Sequence, residues 1–167
     1  NNGVVVNSSG QISAGGSGTV TVTGNAGPAA AIGLFILSSG TITSAGGNII
    51  ANGTGAGPEA IGVQMQSSGS IAGVNNATVT VNGNSGTDAI SNWGVRIQDG
   101  ASVTAVNGNI AINATNPVTS PHRAFSLTEI GVDGAKVETT GTGSITVASD
   151  TIEIVTPGVT MNAGANS

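Results

Sequence analysis

Short runs of alternating apolar and polar residues recur in a fixed order along this 167-residue chain. Gly3-Val4-Val5-Val6-Asn7-Ser8-Ser9-Gly10-Gln11-Ile12 returns as Gly33-Leu34-Phe35-Ile36-Leu37-Ser38-Ser39-Gly40-Thr41-Ile42, then as Gly62-Val63-Gln64-Met65-Gln66-Ser67-Ser68-Gly69-Ser70-Ile71. A further copy runs from Gly94 to Val103 with the same spacing. After each comes a second strand-like element: Gly18-Thr19-Val20-Thr21-Val22, Gly47-Asn48-Ile49-Ile50-Ala51, Ala77-Thr78-Val79-Thr80-Val81 and Gly108-Asn109-Ile110-Ala111-Ile112, with Gly143-Ser144-Ile145-Thr146-Val147 closing the series. The period is about thirty residues, in the range that marks solenoids and related arrays. Within each run the alternation has a period of two, which predicts strands whose successive side chains point to opposite faces.

The inward columns follow. They are Val4, Leu34, Val63, Val95 and Phe125; Val6, Ile36, Met65, Ile97 and Leu127; Ile12, Ile42, Ile71, Val103 and Val137; Val20, Ile49, Val79, Ile110 and Ile145; and Val22, Ala51, Val81, Ile112 and Val147. Burying each of these side chains is worth about 1.5–3 kcal/mol, while ordering the backbone costs about 1–2 kcal/mol for every residue of the repeat. No single repeat can fold alone, so neighbours must share buried faces and main-chain hydrogen bonds. The expected fold is all-β: a right-handed, single-stranded parallel β-helix of about five turns, with three short strands per turn and a height of about 24 Å. Residues 1–167 read as a single solenoid domain, expected to be either a segment of a longer repeat rod or a stackable filament subunit. A β-sandwich is the competing fold, but sandwiches do not repeat their inward residues in register.

Ser9-Gly10, Ser39-Gly40, Ser68-Gly69, Asp99-Gly100 and Asp133-Gly134 read as turns at one corner of every repeat, with Gly expected to supply positive φ. Asn52, Asn82 and Asn113 each follow the last inward residue of their repeat, and an internal ladder of stacked Asn side chains is expected to hold the bend there.

The return connection carries the length variation: Gly24 to Ile32, Gly53 to Ile61, Gly83 to Trp93 and Ala114 to Ala124, then a contraction to Ser149–Thr151. One edge of the rod should therefore hold all the variable loops, the face on which a solenoid evolves contacts without disturbing its core. Glu59, Asp88, Trp93, His122, Arg123 and Glu129 gather there or beside it, the last within an insertion between Leu127 and Val137. Trp93, His122 and Arg123 are the candidate binding residues, a small patch for a glycan or protein partner. The alternative for Trp93 is purely structural, since it takes the slot of Ile32 and Ile61 and would cover the core end of its loop. His122 follows Pro121 in a polar loop with no second His or clustered carboxylates nearby, so a metal site is not expected and a solvated role competes with recognition.

Composition narrows the chemistry further. There are 18 Val and 16 Ile against 3 Leu, and β-branched residues suit a pleated surface. Three Lys plus Arg and 2% aromatic residues leave nothing to neutralise phosphates or stack on bases, which excludes a nucleic-acid partner. The longest apolar run, Ala29 to Leu37, is about half a membrane-spanning helix, so membrane insertion is not expected. The chain has no Cys, and with a net charge of −5 and abundant Asn, Ser, Thr and Gly it fits a protein working outside the cell. No nucleophile elbow, phosphate-binding loop, zinc-protease helix or calcium nonapeptide occurs, so no catalytic residue, metal or cofactor is assigned. Asp99 and Asp133 are read as stacking across neighbouring turns, which leaves a paired-carboxylate hydrolase acting on polysaccharide as an alternative. Their Asp-Gly turns already account for both. Asn7, Asn52, Asn76 and Asn113 head glycosylation triplets that this composition produces by chance. The outward column Thr21, Ile50, Thr80, Ala111 and Thr146 is too irregular for a lattice-matching ice-binding face.

The grammar G-V-x-I-x-x-G-A/S-x-V followed by G-N-I-x-I, as from Gly94 to Ile112, resembles the repeats of filamentous-haemagglutinin-like and autotransporter adhesins. The resemblance covers nearly all of the chain. It implies a long right-handed parallel β-helix exported by a Gram-negative bacterium and displayed at the cell surface, a structural and adhesive fibre rather than an enzyme. Its partners would be a host or neighbouring-cell surface glycan or protein, with end-to-end self-association also in view. Neither a secretion domain nor a membrane barrel is recognisable in these residues, and a turn near thirty residues is longer than the compact haemagglutinin-type coil.

Overall fold

Stiff β-branched side chains at every second position make each run a strand, and their recurrence once per repeat stacks like on like. The computed structural model describes the chain except for residues 30, 88–91, 118–122, 130–132, 156 and 165–167. The first turn holds β1 (Val4–Val6), β2 (Gln11–Ala14) and β3 (Val20–Asn25); the second, β4 (Ile32–Ile36), β5 (Thr41–Ser44) and β6 (Ile49–Thr54). The third holds β7 (Ile61–Met65), β8 (Ser70–Gly73) and β9 (Val79–Asn84), and the fourth β10 (Trp93–Gln98), β11 (Ser102–Val106) and β12 (Ile110–Thr115). β13 (Phe125–Thr128), β14 (Lys136–Thr140) and β15 (Ile145–Ser149) complete the fifth, and β16 (Ile152–Val155) and β17 (Thr160–Ala163) begin a sixth. Among the described residues there is no helix.

The strands form three parallel sheets. Sheet A is β1-β4-β7-β10-β13-β16, sheet B is β2-β5-β8-β11-β14-β17, and sheet C is β3-β6-β9-β12-β15. This is the expected parallel β-solenoid, and all five inward columns run in register. Val4 pairs with Leu34, Leu34 with Val63, Val63 with Val95 and Val95 with Phe125. Ile12, Ile42, Ile71, Val103 and Val137 align in the same way along sheet B. Val20, Ile49, Val79, Ile110 and Ile145 do so along sheet C. The columns meet in one apolar core that runs the length of the stack.

Two columns of glycine mark the corner where sheet C passes into sheet A. A Cβ on Gly53 would lie 2.0 Å from the Gly62 carbonyl oxygen, and one on Gly83 would lie 2.0 Å from that of Gly94. Backbone meets backbone there, which is why a glycine opens each of the first four repeats, while the fifth has Ala124 in that slot.

The corner between sheets A and B differs from the expectation. Positive φ belongs to serine pairs, Ser8 and Ser9 (50° and 63°), Ser38 and Ser39 (49° and 61°), Ser67 and Ser68 (49° and 61°), and then to Asp99 and Gly100 (54° and 70°). Each pair is the centre of a two-residue turn closed by a hydrogen bond, Gly10 N to Asn7 O at 2.7 Å and Gly40 N to Leu37 O at 2.9 Å. Positive φ at both central residues is the type I′ pattern. In the second turn the glycine that follows leaves room, since a Cβ on Gly40 would fall 2.2 Å from Val6 O in the turn below. Hence Gly100 is equivalent to Ser68, and it is Ala101 that occupies the slot of Gly69.

The asparagine ladder exists but is external. Asn82 Nδ2 donates to Asn52 Oδ1 and Asn113 Nδ2 to Asn82 Oδ1, both at 2.8 Å, and Asn52 Nδ2 donates to Thr23 Oγ1 at 3.1 Å. Strand alternation explains the reversal: Ala51 and Gly53 are buried, so Asn52 between them must face out. Length variation is also not confined to one edge. The fifth turn carries its own insertion between β13 and β14, at the corner of sheets A and B.

Candidate functional site at the loop edge

The connections from sheet C to sheet A lengthen in the third and fourth turns, and longer loops carry more backbone that must be hydrogen-bonded. Three buried polar residues do this at the base of the loops. Asn92, wholly buried, accepts from Ala60 N at 2.9 Å and donates to Gly86 O at 3.2 Å. Ser85 Oγ donates to Asn116 Oδ1 at 3.1 Å, and Asn116 Nδ2 donates to Asn92 O at 3.1 Å. The sequence reading missed this anchor. Its one signal is positional, since Ser85 and Asn116 stand two places after the equivalent residues Gly83 and Ala114.

Trp93 begins β10 and pairs with Ile61, which in turn pairs with Ile32, as its slot in the repeat requires. It is partly buried, and its ring carries the Arg96 guanidinium, whose Cζ lies 4.5 Å from the ring centroid. A cation over the indole face is held by the ring quadrupole, more strongly when desolvated. Arg96 points outward from sheet A between Gln64 and Ser126 of the adjoining turns. Burial disfavours its charge and lowers its pKa, while the Glu153 carboxylate pulls the other way. Its Nε is buried without a hydrogen-bond partner.

Glu153 ties this cluster to the next turn. Its Oε1 lies 2.8 Å from Arg123 Nε, and its Oε2 accepts from Ser126 Oγ at 3.0 Å. Val95 is level with Phe125, and that register continued two residues back sets Arg123 level with Trp93. Trp93 and Arg123 therefore occupy the same side of adjacent turns, joined by Arg96, Ser126 and Glu153, which the sequence reading did not single out as binding residues. His122 and Asp88 lie outside the described residues. Beside the cluster, Gln66 Oε1 accepts from Gln64 Nε2 at 2.7 Å and from Gln98 Nε2 at 2.9 Å, which leaves the buried Gln98 Oε1 unpartnered.

The arrangement gathers side chains of the types that suit binding: an aromatic ring, two guanidinium groups and an acid. The two aspartates of the paired-carboxylate alternative lie at the corner of sheets A and B. Asp99 accepts from Ser67 Oγ at 3.0 Å, while Asp133 sits against Gly100, whose N–H donates to its carbonyl at 2.7 Å. Asp133 lies level with Asp99 in the adjoining turn, as the repeat spacing predicts, since the pairing of Ser102 with Lys136 continued three residues back brings the two together. Among the described residues no three His, Cys, Asp or Glu side chains are grouped to hold a metal ion, and no helix is long and apolar enough to cross a membrane. No protein-family model, curated protein or solved structure matches the chain.

Proposed function

We propose that the chain is a rigid segment of an extracellular bacterial surface fibre, which presents its loop edge to a glycan or protein on a host or neighbouring cell. One observation carries this reading. The interior repeats without interruption from turn to turn, while the connections on one edge lengthen beside a cluster of Trp93, Arg96, Arg123 and Glu153. A stack whose stability comes from neighbouring turns tolerates such loops, so the edge is free to specialise. Aromatic and arginine side chains are the types that dominate recognition surfaces. The resemblance of the repeat grammar to surface adhesins supports the same reading.

The test is binding of the purified chain to arrays of cell-surface glycans and proteins and to intact cells. The expected result is selective binding that Trp93→Ala combined with Arg123→Ala weakens about tenfold or more, with the circular dichroism and melting temperature unchanged. Failure to bind any surface, or equal binding by the variant, would overturn the reading.

End-to-end association has its own supporting observation. Ile152, Ile154 and Met161 continue the columns of Phe125, Leu127 and Val137, yet they are 54%, 48% and 37% exposed. Val4, Val6 and Ile12 offer the same columns at the opposite end, so a second copy would extend both core and ladders. Sedimentation should show concentration-dependent growth that Ile152→Asp with Ile154→Asp abolishes. A monomer at all concentrations would reject this second reading.

A further inference from the structure

On the outer side of sheet C a groove runs along the solenoid axis. Its walls are two outward columns, Asn52, Asn82 and Asn113 on one side and Thr54, Asn84 and Thr115 on the other, and its floor is the backbone of Gly53 and Gly83. Its volume is about 290 Å³, and a second hollow of about 400 Å³ continues from Thr54 and Asn84 toward the loop edge at Gly57, Thr87 and Pro117. We propose that this groove binds a neutral, linear, hydroxyl-rich glycan lying along the axis.

Three features specify that chemistry. First, among the described residues the lining carries no ionisable side chain to pair with a phosphate, carboxylate or ammonium group. Second, a side-chain amide has two N–H donors and two lone pairs on its oxygen. The ladder through Asn82 consumes one N–H and one lone pair, which leaves one of each for a ligand. A sugar hydroxyl donates and accepts at once and satisfies both. Third, the sites repeat at the strand spacing of about 4.8 Å, which is roughly one pyranose unit, whereas same-side residues of an extended peptide repeat at about 6.7 Å and fall out of step. The groove has no aromatic residue to stack on a sugar, so binding per turn is weak, and affinity grows with the number of turns engaged. The inference does not rest on the loop-edge cluster, whose residues are different.

The experiment follows the side-chain amide resonances of Asn52, Asn82 and Asn113 by nuclear magnetic resonance in the whole chain. Neutral hexasaccharides of β-linked glucose, mannose and N-acetylglucosamine are titrated in, with polygalacturonate as the charged counterpart. At least one neutral chain is expected to shift these amides, more strongly as it lengthens, while polygalacturonate does not. Asn84→Trp fills both hollows at a side chain that makes no hydrogen bond in the fold. It should weaken binding about tenfold or more at an unchanged melting temperature, while Trp93→Ala with Arg123→Ala leaves binding intact. Amides unmoved by every neutral chain, equal response to polygalacturonate, or full binding by Asn84→Trp would each overturn the proposal. Loss of cell binding in the Trp93 and Arg123 variant bears only on the loop-edge reading.

Discussion

The middle turns and the end turns are built from the same residues in the same columns, yet they are not equally buried. Ile42 and Ile71 are wholly buried, Ile12 one turn below is only partly so, and Ile152 stands 54% exposed directly over the fully buried Phe125. Nothing in the local sequence accounts for the difference. Each inward side chain is covered by its own turn and by the turns on either side, and an end turn lacks one of them. Burial in this fold is a nearest-neighbour property, so stability should follow position in the stack as much as residue type.

The sharpest way to break that comparison is to shorten the same side chain in both places. Ile71→Ala removes a wholly buried side chain flanked by Ile42 and Val103 and should cost about 2–5 kcal/mol. Ile12→Ala should cost less than half as much, because part of that side chain already meets solvent. Urea unfolding of both variants measures the contrast. Equal losses would mean that the end turn is as tightly covered as the middle.

A second contrast concerns space beside the backbone. Gly53→Ala brings a methyl group into the Gly62 carbonyl at the corner of sheets C and A, and the strands must separate there, at about 1–3 kcal/mol. Gly15, at the exposed corner of the first turn, has nothing within 4 Å of an added Cβ, so Gly15→Ala should be close to neutral. Melting temperatures decide it. A harmless Gly53→Ala would show that this corner is looser than the packing implies.

How much of this was legible in the sequence depends on whether a feature is repeated. The inward columns were readable to the residue because each apolar position occurs in turn after turn, and a single register satisfies them all. Features set by backbone geometry were misread at the same positions: Ser-Ser-Gly looked like a turn that needs its glycine for φ, whereas the serines adopt positive φ and the glycine gives room to Val6 O or Ile36 O. The asparagine ladder was found by its spacing but placed on the wrong face, since adjacency to an inward residue means the opposite face in a strand. The loop-edge cluster was half visible. Trp93 and Arg123 stand out by rarity, but Glu153 and Ser126 join them only because the contracted fifth return brings β16 alongside β13, a contact that no local pattern announces.

The smallest effect tests the opposite limit, a feature that should not depend on the stack at all. Two left-handed non-glycine residues in succession cost about 1–2 kcal/mol each before compensation, and Asn-Gly is the pair best suited to such a turn. Ser38→Asn with Ser39→Gly should therefore stabilise the second turn by about 0.5–1 kcal/mol, since the turn hydrogen bond from Gly40 N to Leu37 O is retained. The same exchange at Ser8 and Ser9 should give an equal gain, because φ strain is local and indifferent to how many turns lie above or below. Paired denaturation curves distinguish the cases. Equal gains in the first and second turns, beside unequal losses at Ile12 and Ile71, would separate what each turn contributes by itself from what it contributes only through its neighbours.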